Sequence, residues 1–177
     1  MHGIIHKSLK EYVESELDGV DWDDLLDDAG IEPKLYLPVS HYPDEEVTGI
    51  VAAIADRTGR TERAVEREFG ESLAPELLDT FKAHVRDEWD TLDTLGELEA
   101  IYESIEQGSD DTSPPDVTTG RDGDTATVVY RSDRGLCAMA EGIVHGVAAA
   151  KGETVAVEQP VCVHDGDDRC ELSVRRT

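Results

Sequence analysis

The sequence is poor in cations. Sixteen Lys and Arg stand against forty-one Asp and Glu, a formal net charge of −25 at neutral pH. A surface of that sign repels nucleic acid and anionic lipid, both of which are bound through Lys and Arg clustered against phosphates. Long apolar runs are missing as well. None approaches the length that spans a bilayer, and Met1-His2-Gly3-Ile4-Ile5-His6-Lys7 lacks the extended apolar centre of a signal peptide. A cytoplasmic chain with no membrane partner is the expectation. Cysteine is scarce, with only Cys137, Cys162 and Cys170. An odd number in a reducing compartment disfavours a disulfide framework and points to metal binding or thiol chemistry. No Ser-His-Asp order, phosphate-cradling glycine loop or His-Glu-x-x-His signature is present. The Glu-Glu pairs fall on solvated helix faces, so no catalysis is expected.

What is there argues for a folded domain. The acidic residues are interleaved with apolar ones, as in Glu45-Glu46-Val47 and Leu25-Leu26-Asp27-Asp28, and 38% of residues are apolar. That disfavours disorder. An acidic skin whose self-repulsion is screened by concentrated salt fits the composition.

Spacing predicts helices through the first hundred residues. Ile4, Ile5, Leu9, Tyr12, Val13 and Leu17 form one stripe. A short acidic helix is expected from Trp22 to Ala29. Pro43-Asp44-Glu45-Glu46 opens another, which Gly59 stops. Three more are expected over Glu62–Phe69, Pro75–Trp89 and Thr91–Ile105. Residues 107–116 then form a polar, Pro-rich linker. Beyond it, Val117-Thr118-Thr119 and Thr125–Ser132 flank Arg121-Asp122-Gly123-Asp124 as a hairpin. A helix over Leu136–Lys151 and strands over Thr154–Val163 and Cys170–Arg175 complete the chain. The prediction is a single α+β domain over 1–177: a helical part (1–106), the linker, and a part (117–177) with a four-stranded antiparallel sheet and an intervening helix.

On a strand, alternate residues share a face, so Tyr130, Ser132 and Arg134 would point the same way. Two hydroxyls and a guanidinium can bind closely spaced carboxylates. Alone, the pattern is equally that of a solvated polar face with an ordinary arginine.

Other motifs give it context. They are Met1-x-Gly3-x-Ile5, Tyr42-Pro43-Asp44-Glu45-Glu46-Val47, Phe69-Gly70-Glu71, Pro114-Pro115, Tyr130-x-Ser132-x-Arg134 and Glu141-Gly142. In that order and spacing they resemble the haem–nitric oxide/oxygen binding (H-NOX) family over nearly the whole chain. The resemblance implies haem b gripped between a helical distal part and a mixed proximal part. Tyr130, Ser132 and Arg134 would hold its propionates, and Pro115 would press on the porphyrin. Ile5, Leu9, Leu73 and Met139 would line the distal side. An all-apolar wall of this kind would favour nitric oxide over stable dioxygen binding. The signal would pass to a separate protein, in this family often a histidine kinase or a cyclic-dinucleotide enzyme such as a cyclase.

The sequence departs from the family at the proximal ligand. Where the family has histidine, on the apolar face with Leu98 and Ile105, this chain has Tyr102. Tyr102 would either ligate ferric iron as a phenolate or be a core tyrosine with its hydroxyl satisfied, in a chain that binds haem weakly or not at all.

The cysteines form a second candidate site. Cys162 and His164 would share a strand face, Cys170 would return on the partner strand, and Cys137 would approach from the next helix, a plausible tetrahedral zinc set. Three buried thiols acting as small hydrophobes fit the same spacing. Cys137, Cys162 and Cys170 also resemble three zinc ligands of redox-sensing family members, whose fourth ligand falls at Gln159 here. The alternatives to a haem sensor are therefore a haem-independent zinc or thiol redox module, and a binder of another apolar carboxylate held by Tyr130, Ser132 and Arg134.

Overall fold

The structure, a computed structural model, describes residues 1–108 and 115–177, with residues 105–108 described by their backbone alone. Pro114, the centre of the expected linker and the Ile105 side chain lie outside the described residues.

Local chemistry starts the first four helices. In α1 (Gly3–Glu16), the His2 side chain accepts the Ile4 N–H. In α2 (Trp22–Asp28), Asp21 accepts from Asp23 and Asp24. Helix α3 (Asp44–Thr58) opens with three acidic residues and stops at Gly59, whose φ of 68° suits glycine. Helix α4 (Glu62–Thr80) is capped by Thr61. Gly3 begins α1 for a steric reason: a Cβ there would lie 2.0 Å from the Leu37 carbonyl oxygen.

Three boundaries differ from expectation. Helix α4 runs unbroken through Gly70 and Pro75, where two helices were expected, and only a 3-10 turn (Lys82–His84) follows it. The expected helix over Thr91–Ile105 is two, α5 (Thr91–Gly96) and α6 (Leu98–Gly108). The Thr119 hydroxyl donates to the Gly96 carbonyl at 2.8 Å, occupying an acceptor at the break. The sheet strands are β1 (Asp116–Asp122), β2 (Thr125–Arg131), β3 (Val155–Val161) and β4 (Cys170–Arg176), in antiparallel order β1-β2-β4-β3, with α7 (Cys137–Ala150) between β2 and β3. Strand β3 ends two residues early, just after Pro160, which lacks a ladder N–H. The Cys162 N–H turns instead to Asp167 Oδ2 at 3.0 Å.

Two cores result. Leu9, Tyr12, Ile50, Ile54, Phe69 and Leu73 pack together among α1–α4. Leu92, Ala126, Val144, Leu172 and Val174 pack between the sheet, α5 and α7. Helices α4 and α7 join the two parts, main chain against main chain. A Cβ on Gly70 would come within 2.3 Å of the Met139 carbonyl oxygen, and one on Gly142 within 2.0 Å of that of Arg67. The Phe69-Gly70-Glu71 and Glu141-Gly142 motifs are the two sides of this contact. No described helix is long and apolar enough to cross a membrane.

Candidate functional site

A mainly apolar cavity of about 270 Å³ lies between the two parts. The helical side gives it Met1, Ile4 and Ile5 from the start of α1, with Leu77 and Phe81 from the end of α4. Leu98 and Tyr102 of α6, Val128 and Tyr130 of β2, and Met139 and Ile143 of α7 form the remaining walls. Helix α6 is strongly amphipathic, which directs Leu98 and Tyr102 inward.

Of the residues singled out in the sequence, Ile5, Tyr102, Pro115, Tyr130, Arg134 and Met139 line this cavity. Leu9 and Leu73 do not. Both are fully buried in the helical core, where they pack as ordinary hydrophobes. Strand β2 ends at Arg131, so Ser132 and Arg134 sit in the turn before α7 rather than on a strand face with Tyr130. The Arg134 N–H donates to Ser132 Oγ at 3.3 Å, and Ser132 is not among the lining residues.

Charge is concentrated at one edge. Arg134 Nε pairs with Asp44 at the start of α3, and the Met1 amine lies 2.6 Å from the same carboxylate. Burial would push the Asp44 carboxyl up, but these cations outweigh it and hold the group below the usual range. Tyr102 is different. Burial pushes its phenol up, Tyr130 adds to the shift and Arg134 offsets part of it. Burial also raises the Tyr130 phenol, against Ser132 and Arg134. Both hydroxyls are protonated at neutral pH.

The three cysteines meet in a second place. All are buried, and their sulfurs lie within 4.8 Å of one another. Cys137 and Cys162 are 3.7 Å apart, and the Val163 N–H points to Cys170 Sγ at 3.5 Å. His164 is not part of this group. It falls in a 3-10 turn after β3, and its Nε2 meets the Gly135 carbonyl at 2.7 Å. What faces the sulfurs instead is Arg63, whose guanidinium lies 3.7 Å from Cys137 Sγ, 3.9 Å from Cys162 Sγ and 3.5 Å from Gln159 Oε1. Burial pushes the Cys137 thiol up to about 11. Burial also opposes ionisation of Cys162, but the His164 backbone, Cys137 and Arg63 together bring that thiol below its ordinary value. Three sulfurs at this spacing can hold a metal ion.

Sequence reasoning missed several participants. His2 and His41 line the cavity; the place of His2 just ahead of the Ile4–Leu9 stripe, where a helix cap falls, carried a signal, whereas His41 comes near only through its pairing with His2. Phe81 and Arg63 gave no local sign, because their neighbours are 70 or more positions away for Arg63 and across the fold for Phe81.

The haem-NO-binding family model matches residues 2–159. The fold resembles that of an H-NOX protein from S. oneidensis in the Fe(II)NO ligation state, with 23% identity and a TM-score of 0.91, covering 100% of this chain and 99% of that one. It also resembles the Fe(II) unliganded H-NOX protein from K. algicida (14%, TM-score 0.83, 100% and 97% covered) and an I5F mutant of T. tengcongensis H-NOX (20%, TM-score 0.82, 100% and 98% covered). No protein of curated function matches the sequence.

Proposed function

Because this chain belongs to the haem-NO-binding (H-NOX) family, whose members are haem-based sensor domains for nitric oxide or oxygen rather than enzymes, we propose that it senses nitric oxide or redox state through a haem b held in the interlayer cavity. The observation that carries this reading is the cavity itself: apolar walls, a buried phenol in one of them, and a guanidinium at one edge. These residues fit a flat, greasy group with acidic substituents. At about 270 Å³ the cavity is small for such a group, so loading requires the helical and sheet parts to move apart.

When bound, the haem supplies an iron atom that takes a diatomic ligand or changes oxidation state. The chain does the rest. Arg134 and Tyr130 would hold the carboxylates, with Ser132 orienting the Arg134 backbone. Pro115 and Met139 would bear on the ring from their walls. Burial keeps the Tyr102 phenol protonated in the haem-free chain; as an iron ligand it would release that proton to solvent, and the resulting anionic oxygen would favour ferric over ferrous iron. Carboxylates arriving at Arg134 compete with Asp44 for it, so occupancy of the cavity is felt at the start of α3. A separate signalling protein, such as a histidine kinase or a cyclase, would read that change.

Titration with haemin in concentrated salt tests the reading. The expected result is a Soret shift at micromolar haemin and a ferric tyrosinate-like band that disappears in Tyr102→Phe. Arg134→Gln should weaken uptake about tenfold, the value of a charge-assisted pair. No Soret shift overturns the reading.

The cysteine group supports a second reading, a zinc or thiol redox centre. Three sulfurs within 4.8 Å favour it, with Gln159 or water completing the set under the Arg63 cation. Metal analysis of the wild type against Cys170→Ser decides it, since zinc well below one per chain counts against a metal.

A further inference from the structure

The helical wall of the cavity is not uniformly apolar. Between Ile4, Ile5, Leu77 and Phe81 it carries two imidazoles, His2 and His41. They differ in setting. His41 is exposed, at the mouth. His2 is half-buried and held from three sides: its ring meets His41 edge-on at 5.3 Å between centroids, faces Phe81 at 6.4 Å, and its Nδ1 accepts the Ile4 N–H at 3.4 Å.

That last contact decides the tautomer. A nitrogen that accepts a hydrogen bond offers its lone pair, so in the neutral ring the proton must sit on Nε2. The ring is also kept neutral. Burial lowers its tendency to protonate, and neighbouring His41 lowers it further. His2 therefore has a fixed acceptor edge turned to the helix backbone and a donor N–H on its other nitrogen. Tyr102 lines the same cavity from α6.

We propose that His2 is the hydrogen-bond donor of the helical wall, and that its Nε2–H binds a small anion held in the interlayer cavity. The proposal rests on the haem reading. It adds that the pocket is selective: a ligand with negative charge on its exposed atom gains a hydrogen bond, while a weakly polar one such as nitric oxide gains little. The uniformly apolar wall expected from Ile5, Leu9, Leu73 and Met139 would make no such distinction.

Fluoride is the probe, because it binds ferric iron as a single atom and responds to one donor. Wild type, His2→Ala, His2→Gln and His41→Ala are loaded with haemin, and fluoride affinity is read from the absorption spectrum at neutral pH. His2→Ala should weaken fluoride about tenfold, as expected for one lost hydrogen bond to a charged acceptor. His2→Gln, which keeps a donor, should restore most of it, and His41→Ala, which removes only a neighbour of the His2 ring, should weaken fluoride less than His2→Ala does. Equal fluoride affinity in wild type and His2→Ala, or a loss confined to His41→Ala, overturns the proposal while leaving the Soret evidence for haem intact. Failure of the wild type to take up haemin removes both readings. Nitrogen NMR of the His2 ring in the haem-free chain gives a separate check, and a proton found on Nδ1 overturns the assignment whatever the variants do.

Discussion

His6 is fully buried between the ring faces of Tyr36 and Tyr42, with centroids 4.8 and 5.2 Å away. Its Nε2 meets the Pro43 carbonyl at 3.3 Å, and its Nδ1 has no partner. Burial lowers its pKa, against smaller opposing effects from Pro43 and Glu46. The unfolded chain therefore binds a proton more readily than the folded one. Stability is complete above the ordinary histidine value of about 6.5 and is lost as pH falls through it. Urea unfolding should show lower stability at pH 5 than at pH 7, and His6→Phe should flatten that slope. An unchanged slope in the variant would assign the loss to other groups. The carboxylates Asp44 and Glu46, both held below their usual range, act in the same direction but at more acidic pH.

Among the elements, the α4–α7 contact is the tightest, and it makes opposite predictions for two helical glycines. Gly142→Ala places a Cβ 2.0 Å from the Arg67 carbonyl oxygen, a main-chain atom that cannot step aside. It should cost about 1–3 kcal/mol or more in a denaturant melt. Gly49→Ala in α3 meets only the Ala29 methyl at 3.6 Å, ordinary contact, and should stabilise by about 0.4–1 kcal/mol. A stable Gly142→Ala would mean that the helices cross further apart. The same contact accommodates Pro75 inside α4, where the sequence predicts a break. Pro75 removes the N–H that would bond Glu71, and that carbonyl is where Gly146 packs, since a Cβ there would lie 2.4 Å from it. Most helix starts, the hairpin at Gly123 and the four strands were legible because caps, turns and alternation are local, whereas the order β1-β2-β4-β3 needed the packed sheet. The α5–α6 break and the placement of His164 were not, because each depends on a partner distant in sequence, Thr119 and Gly135, and the end of β3 was not because Pro160 and a side-chain bond from Asp167 replace the ladder there. Tyr102, Tyr130 and Arg134 could be found from motifs, whereas His2, Arg63 and the core placement of Leu9 and Leu73 required the packed fold.

At the scale of the whole molecule, a net charge of −25 is spread over 177 residues. Many of the few cations are engaged in ion pairs, such as Arg57 with Asp24 and Asp28, and Arg176 with Asp90 and Glu153. The surplus acids repel one another, and this repulsion reaches about 10 Å at 0.1 M salt but only about 3 Å at 1 M. The thermal midpoint should therefore rise by several degrees between 0.1 and 2 M potassium chloride, about 1 kcal/mol or more for a domain of this size. A midpoint indifferent to salt would show that the acidic surface is neutral to folding.

Where α7 leans on α4, glycines let one backbone rest directly on the other, and nothing soft lies between them. Such a joint bears load without yielding. If the cavity changes its contents, the sheet layer can only pivot about this fulcrum, and displacement grows with distance from it. The start of α1 lines that cavity, and against it runs the loop where Leu35, Leu37 and Val39 already stand out in water.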